Sequence, residues 1–494
     1  MATGKLYRHS LALLTDLYQL TMAFGYWKLN RVEEQAIFNL VFREHPFNGG
    51  YTIAAGLETV ISFLRDLEFD DEDIEYLGTL EGNDGEPLFD KEFLSYLSNM
   101  RFECDIDAMP EGTVAFPHEP LLRITGPILQ CQILETALLN MLSYQTLIAS
   151  KAARICNAAR NEPVLEFGLR RAQGIDGGIA ASRAAYIGGC IGTSNVLAGK
   201  LYGIPVRGTH AHSWVMSFDN EVESFEAYAN ALPNNCVFLV DTYDTIEGVK
   251  NAIIVGKKLK ERGHKLAGIR LDSGDLAYLS IEARKLLDEA GFTDSDIVAS
   301  NDLDEFIIDS LKRQDAKINV WGVGTKLATA YDQPALGGVL KLSAIRQPGQ
   351  DWQYKVKLSE QTIKISNPGV LQVRRFHDRS GYIADMIYDE ILGPGNEPII
   401  IDPNDSTRRK RITTNPPHED LLVPIFRKGE LVYDLPSLTM IRQRVQEQIG
   451  ALHPSIRRYM NPHNYPAGIE KKLYDLRTQL ILEARGYNEK QNKS

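Results

Sequence analysis

Residues 265–276 read KLAGIRLDSGDL. An apolar, partly β-branched run meets an abrupt charged turn that contains glycine. The same rhythm recurs on both sides of it. Comparable runs are PVLEFG at 163–168, GIPVRGT at 203–209, CVFLVD at 236–241, DIVASND at 296–302 and INVWGVG at 318–324. Helical patterns of roughly ten to twenty residues separate most of them. Strands alternating with helices imply parallel βαβ units. A repeat of roughly 30 residues suits a (β/α) barrel. An open doubly wound sheet suits the same pattern, so both architectures stand at this point. VLKLSAI at 339–345 reads as one further strand.

Outside this series the rhythm changes. Residues 10–28 read as a helix, with Leu13, Leu14, Leu17, Thr21 and Phe24 at helical spacing. Residues 35–60 read as a strand, a loop at Gly49–Gly50 and a helix. DDEDIEYL at 70–77 reads as an acidic first helical turn, favoured by the helix dipole, rather than a metal site. After Pro127, residues 128–160 carry neither Gly nor Pro and predict one long helix or two end to end. Residues 346–435 carry short strands, many Pro and Asn, and a basic run. Residues 436–494 read as helical with a polar tail.

The composition narrows the function classes. Of 494 residues 44% are apolar and 24% charged, which excludes a disordered or fibrous chain. Lys and Arg number 54 against 65 Asp and Glu, a net charge of −11. An acidic surface repels phosphate polymers, so no nucleic-acid partner is expected. Cys104, Cys131, Cys156, Cys190 and Cys236 are widely spaced and form no C-x-x-C. They read as reduced thiols of a cytoplasmic protein. No apolar run approaches the roughly 18 residues of a membrane span, and Asp16 interrupts the N-terminal apolar stretch, so neither a membrane partner nor a signal peptide is expected.

Polar residues at the ends of buried strands need a reason. EFGLRR, FLVDTYD, GIRLDSGD and ASNDLDE all end in charge. In a barrel the carboxyl ends of the strands carry the chemistry, so Arg170, Asp241, Arg270, Asp272 and Asp302 would meet at one mouth. The competing account is that some of these aspartates are helix N-caps. A mouth mixing Arg and Asp suits a phosphorylated substrate with Mg²⁺. GVGT at 322–325 is compatible with a phosphate loop and equally with a plain turn. GTHAHSW at 208–214 places His210 and His212 two apart. They suit an H-x-H metal site or a histidine nucleophile near phosphate. TRRKR at 407–411 reads as a solvated basic loop.

Six segments together resemble the nicotinate phosphoribosyltransferases. They are TDLYQLTMAFGYW at 15–27, ETALLNMLSYQTLIASKAAR at 135–154, EFGLRRAQG at 166–174, TSNVLAGKLYGIPVRGTHAHS at 193–213, GIRLDSGDL at 268–276 and GVGTKLATA at 322–330. The resemblance covers residues 15 to about 345 in order and is looser beyond. It implies an α/β fold: an irregular type II phosphoribosyltransferase-like (β/α) barrel with an open-faced α+β domain formed by N- and C-terminal segments. The expected divisions are 1–140 (N-terminal α+β), 141–345 (barrel), 346–435 (returning α+β segment) and 436–494 (helical). The family joins nicotinate to 5-phosphoribosyl 1-pyrophosphate, an NAD-salvage step coupled to ATP hydrolysis through a phosphohistidine. Its members are commonly homodimers with the active site at the subunit boundary.

On the family motif G-T-x-A-H-S, His212 is the expected phosphohistidine and His210 an accessory. Asp272 resembles the catalytic carboxylate facing ribose or metal. Tyr18, Phe167, Arg170, Ser194, Thr209 and Arg270 are the implied nicotinate contacts, Tyr18 delivered from the partner subunit. Arg171, Asp241, Ser273, Gly274, Gly324 and Thr325 are the implied contacts of the phosphoribosyl pyrophosphate. Magnesium enters with that substrate and ATP is a co-substrate; no protein-held metal is expected. Strand parity puts Glu166 and Arg170 on one face and Phe167 on the other. Gly168 can end the strand and free the backbone, so both Phe167 and Arg170 are assigned to the pocket.

Two alternatives remain. A nicotinamide phosphoribosyltransferase would carry an acidic residue where this chain has Ser194. A metal-dependent barrel hydrolase would use the H-x-H pair, but zinc needs three or more protein ligands and no later strand ends in His.

Overall fold

The computed structural model describes residues 10–361, 364–413 and 416–487. The chain forms two compact units, Leu147–Pro334 and, from both ends of the sequence, Met1–Thr146 with Ala335–Ser494. Among the described residues no helix is long and apolar enough to cross a membrane. None of the five cysteines forms a disulfide.

The unit Leu147–Pro334 is built on six parallel strands. Their spatial order is Gly192–Thr193, Val164–Glu166, Val320–Val323, Asp296–Ala299, Gly268–Leu271 and Val237–Leu239. Parallel neighbours require a crossover, and Thr245–Glu261, Leu276–Glu289 and Glu305–Arg313 supply three of them. Phe238, Leu239, Ile269, Leu271, Ile297, Ala299 and Val323 are fully buried, as expected of strands covered on both faces. Each crossover helix starts with an aspartate that caps it: Asp244, Asp275 and Asp304 accept the N–H groups of Glu247, Tyr278 and Ile307. The caps are thus the second aspartate of each loop, and the capping account fails for the aspartates it was offered for. Asp241, Asp272 and Asp302, the first of each pair, are not these caps.

GIPVRGT contributes less strand than its composition suggests. Only Val206 bridges in parallel to Thr193. Gly203 ends the preceding helix in the left-handed region at φ 69°, and Pro205 has no N–H to give a ladder.

Among the described residues the other unit carries two large, mainly antiparallel sheets and a small one that pairs Thr52–Ile53 with Val114–Ala115. A seven-stranded sheet runs Gln353–Tyr354, Val339–Arg346, Gln35–Val41, Pro120–Pro127, Asp105–Ala108, Val423–Arg427 and Glu430–Leu431. VLKLSAI therefore pairs antiparallel with Gln35–Val41 and is no member of the parallel series. A six-stranded sheet runs Arg409–Arg411, Ile399–Ile401, Ala467–Glu470, Gly381–Asp389, Leu371–Asp378 and His418–Asp420. Ala467–Glu470 interrupts what the sequence presents as a helical tail; the helices Leu438–Ala451 and Lys471–Ala484 flank it. The first helix is Leu17–Lys28, shorter than the expected 10–28. Asp16 stops it from extending back: it sits in extended backbone and its side chain accepts the Thr136 hydroxyl at 2.8 Å. The apolar stretch after Pro127 is two helices, Ile128–Ile133 and Glu135–Ala158. The acidic run is the helix Asp71–Leu77, opened by a capping box between Asp70 and Asp73.

Charge locks this unit internally. Arg375 and Asp385 face each other across two strands and are both fully buried. Arg375 also donates to Val114 O at 2.7 Å and Gln448 Oε1 at 3.1 Å, while Tyr465 donates to Asp385 at 2.8 Å. Segments from across the sequence thus share one polar node. The Asp385 charge raises the Arg375 pKa despite complete burial.

Candidate active site

A cavity of about 550 Å³ opens at the carboxyl ends of the parallel strands. The strand Val164–Glu166 enters it through a turn. Gly168 adopts helical angles, and Leu169–Arg171 form a single 3₁₀ turn. Alternation stops at Glu166, so parity no longer governs the side chains beyond it. Phe167, Arg170 and Arg171 all line the cavity. Phe167 has room because residue 322 is glycine: a Cβ there would stand 2.7 Å from the Phe167 ring.

The strand Gly268–Leu271 supplies Arg270 and, at its end, Asp272. Arg270 donates to the Thr209 hydroxyl at 2.7 Å, and its Nε is buried with no hydrogen-bond partner. Burial lowers its pKa, with Asp272 and Asp241 opposing that effect. Asp272 accepts from the Ser300 hydroxyl. Its Oδ2 lies 3.9 Å from His212 Nε2, and the other imidazole nitrogen of His212 pairs with the Thr242 hydroxyl at 3.1 Å. Asp241 accepts the Asp272 N–H at 3.0 Å and the Ser273 hydroxyl at 2.6 Å through Oδ2. Its Oδ1 is buried with no hydrogen-bond partner. Gly274 turns this loop in the left-handed region at φ 79°.

Gly324 precedes the short helix Thr325–Ala328, and both Gly324 and Thr325 line the cavity. The first N–H groups of a helix lack intrahelical acceptors, which suits an anion. On the far side of the cavity Ser194 follows the strand Gly192–Thr193, and its N–H is held by Glu166 O at 3.0 Å.

His210 behaves differently from His212. It is 8% exposed and packs against Phe225, Tyr228 and Phe238. Burial pushes its pKa down to about 4, so the ring is neutral at pH 7. Its Nε2 accepts the Leu239 N–H at 3.3 Å. Its Nδ1 pairs with Ala211 O at 3.5 Å, so both ring nitrogens an H-x-H site could use are engaged. Among the described residues no group of three or more His, Cys, Asp or Glu side chains could hold a metal ion.

Comparisons with known proteins accord with this arrangement. Family models for the nicotinate phosphoribosyltransferase N-terminal domain, family domain and C-terminal domain match residues 13–143, 163–353 and 371–477. The chain is 44% identical to a nicotinate phosphoribosyltransferase of Bacillus subtilis (strain 168), over 96% of each chain. The chain belongs to the nicotinate phosphoribosyltransferase family. It is 36% identical to the human nicotinate phosphoribosyltransferase, over 94% of this chain and 95% of that one. The crystal structure of human nicotinic acid phosphoribosyltransferase superposes with a TM-score of 0.82 at 33% identity, covering 94% of this chain and 99% of that chain. A nicotinate-nucleotide pyrophosphorylase from Pyrococcus furiosus shares the fold, with a TM-score of 0.68 at 24% identity.

The residues singled out by the nicotinate phosphoribosyltransferase motifs fall into three groups. Phe167, Arg170, Arg171, Ser194, Thr209, Arg270, Asp272, Gly324 and Thr325 line the cavity, as do the accessory His210 and the strand-end Asp302. His212, Asp241, Ser273 and Gly274 do not line it. His212 and Asp241 reach it through their contacts with Asp272, and Ser273 through its bond to Asp241. Tyr18 is in the other unit, 51% exposed on the helix Leu17–Lys28. Leu169, Ser300, Asn301 and Gly322 line the cavity without having been singled out. Asn301 and Asp302 both have positive φ, 91° and 45°. Two successive non-glycine residues in that region mark a strained rim. The run ASND at a strand end was the available signal for Ser300 and Asn301. Gly322 opens the GVGT loop, but nothing local marks its role, because its neighbour Phe167 is remote in sequence.

Proposed function

We propose that this chain transfers the phosphoribosyl group of 5-phosphoribosyl 1-pyrophosphate to nicotinate. The products are nicotinate mononucleotide and pyrophosphate, and the step is coupled to ATP hydrolysis through phosphorylated His212. The observation that carries the reading is one cavity shared by Phe167, three arginines and Asp272, with His212 adjoining Asp272.

The Phe167 ring offers a face for the pyridine. Arg270 and Arg170 offer positive charge to its carboxylate, and Ser194 presents no carboxylate that would repel it. This favours the acid over the amide. The Thr325 N–H and the Arg171 guanidinium suit the phosphoribosyl pyrophosphate. In the transfer the pyridine nitrogen forms a bond to the ribose anomeric carbon as the bond to pyrophosphate breaks. Positive charge grows on the ribose, as in glycoside chemistry, and Asp272 stands where it can offset that charge. Magnesium comes as part of the substrate; the Asp272 and Asp241 carboxylates are the hard oxygen donors that suit it. Thr242 orients the His212 ring, whose Nε2 lone pair bonds to the γ-phosphorus of ATP as the bond to ADP breaks and ADP leaves. Hydrolysis of the phosphohistidine then releases phosphate.

We read the parallel sheet as the wall of an irregular (β/α) barrel, with His210 bridging toward the edge strand Val237–Leu239. A homodimer is supported by apolar residues flanking the Ser194 loop: Val196, Leu197, Leu201 and Ile175 are 49–70% exposed. Tyr18 would then enter the site from the neighbouring copy. This function would serve NAD salvage in the cytoplasm, where the five thiols stay reduced.

The test is an assay with radiolabelled nicotinate or nicotinamide, each with phosphoribosyl pyrophosphate and Mg²⁺, with and without ATP. Labelled mononucleotide from nicotinate, enhanced by ATP in the wild type but not in His212→Ala, is the expected result. Product from nicotinamide alone would reverse the substrate assignment. Mixing Tyr18→Ala and His212→Ala chains should restore wild-type, ATP-enhanced turnover at about a quarter of the sites if Tyr18 acts across a two-fold dimer.

A further inference from the structure

Glu166 lies outside the cavity lining, yet its carboxylate holds two loops that form it. It ends the strand Val164–Glu166 and is 1% exposed. Oε1 accepts the Gly168 N–H. Oε2 accepts the Ser182 hydroxyl at 2.8 Å and the Thr193 hydroxyl at 2.6 Å. Gly168 sits between Phe167 and Arg170, and Thr193 directly precedes Ser194. The Glu166 backbone carbonyl holds the Ser194 N–H as well. One buried residue therefore sets the spacing between the ring-facing loop and the Ser194 loop.

The surroundings leave little slack. A Cβ at Gly168 would stand 2.4 Å from Ala328 Cβ, so that loop cannot shift toward the helix Thr325–Ala328. The other hydrogen bonds at Ser182 and Thr193 are also committed. Thr193 Oγ1 accepts the Asn195 N–H at 2.9 Å, and Ser182 Oγ accepts from Asn195 Nδ2 at 3.2 Å. The Ser182 hydroxyl shares its one proton between Glu166 and Gly178 O at 3.0 Å, so the Gly168 N–H and the Thr193 hydroxyl are the undivided donors to this carboxylate, which is acceptor-only when ionised.

We infer that Glu166 is a positioning residue for the pyridine pocket and sets the preference for a carboxylate-bearing over a carboxamide-bearing ring. The inference rests on the proposed reading of the cavity as the nicotinate site. Glu166→Gln turns an amide NH₂ toward groups already arranged as donors, so one loop loses its anchor. On the phosphoribosyl side Gly324 and Thr325 have no bond to this carboxylate; Arg171 alone shares the turn that Gly168 opens, so that side should respond less than the pyridine side.

Steady-state kinetics on the full chain test it, with nicotinate, nicotinamide and phosphoribosyl pyrophosphate varied separately. In Glu166→Gln the KM for nicotinate should rise about tenfold, and the kcat/KM ratio of nicotinate to nicotinamide should fall by about as much. The KM for phosphoribosyl pyrophosphate should stay within about threefold. Thr193→Val removes one of the two undivided donors at constant volume and should move the same two quantities less. Thr193→Ser keeps the hydroxyl and should restore wild-type values. If Glu166→Gln does not fold, the Thr193 pair carries the test. An unchanged substrate ratio, or equal rises in both KM values, overturns the inference while the proposed function stands. A wild-type chain that makes no nicotinate mononucleotide overturns the proposed function and this inference with it.

Discussion

Arg375 and Arg270 are both strand arginines facing aspartates, and their surroundings are opposite. Arg375 is wholly buried, and each of its three guanidinium nitrogens donates to Asp385, Gln448 or Val114. Arg270 donates to Thr209 and leaves its buried Nε without a partner, while nearby Asp241 has an idle Oδ1. In the first cluster the Arg375 and Asp385 charges are answered within the fold; beside them burial and the Asp385 charge push the Glu119 carboxyl well above its ordinary pKa, and only its buried Oε1 lacks a hydrogen-bond partner. In the second, polar valence is left over, and burial holds it ready for a ligand. An enzyme needs both arrangements, and they differ in what a substitution damages.

The largest expected effect falls on the satisfied cluster. Arg375→Ala strands the buried Asp385 carboxylate and should cost about 3–5 kcal/mol of stability. Thermal unfolding and soluble yield measure it, and an unchanged midpoint would break the contrast. Asp272→Asn should do the reverse. Its carboxylate is only partly buried, so the unfolding midpoint should hold within a few degrees while kcat falls about 100-fold. A stability loss comparable with that of Arg375→Ala would show that the mouth, too, is structural.

Gly322→Ala sharpens the comparison further, because it touches no charge. The added Cβ displaces the Phe167 ring, and the KM for nicotinate should rise about tenfold with kcat less affected. Binding titrations would report it directly, and a wild-type KM would mean that Phe167 does not meet the ring.

The smallest effect is a pH dependence. His210 is held neutral by burial, with a folded pKa of about 4. The folded value lies below the unfolded one, so the unfolded state takes up the proton first. Stability is full above about pH 6.5 and falls as pH drops toward 4, by roughly 1 kcal/mol at pH 5.5. His210→Phe should flatten that part of the profile of unfolding midpoint against pH. An equally steep profile in the variant would assign the effect to other groups, such as buried His45 and His118.

The parallel unit was readable because its strands are buried on both faces. Their apolar runs stand out, and charge at a run's end, as in GIRLDSGD, marks the mouth. Which aspartate of each pair faces the cavity was not readable, since Asp272 and Asp275 are chemically alike. Position relative to the helix start separates them. The antiparallel unit was far less legible. Asp105–Ala108 pairs with Val423–Arg427 from the far end of the sequence, and no local pattern announces that partner.

Period, composition and motif order thus determined the βα series, the family and most of the residues around the cavity, because these follow from local chemistry along the chain. Tertiary structure alone decided that Glu166 anchors two loops, that Gly322 makes room for Phe167, and that His210 supports a strand while His212 adjoins Asp272. Each of those is a contact between residues distant in sequence. Side-chain direction and the hydrogen-bond partner exist only once the backbone has closed around them.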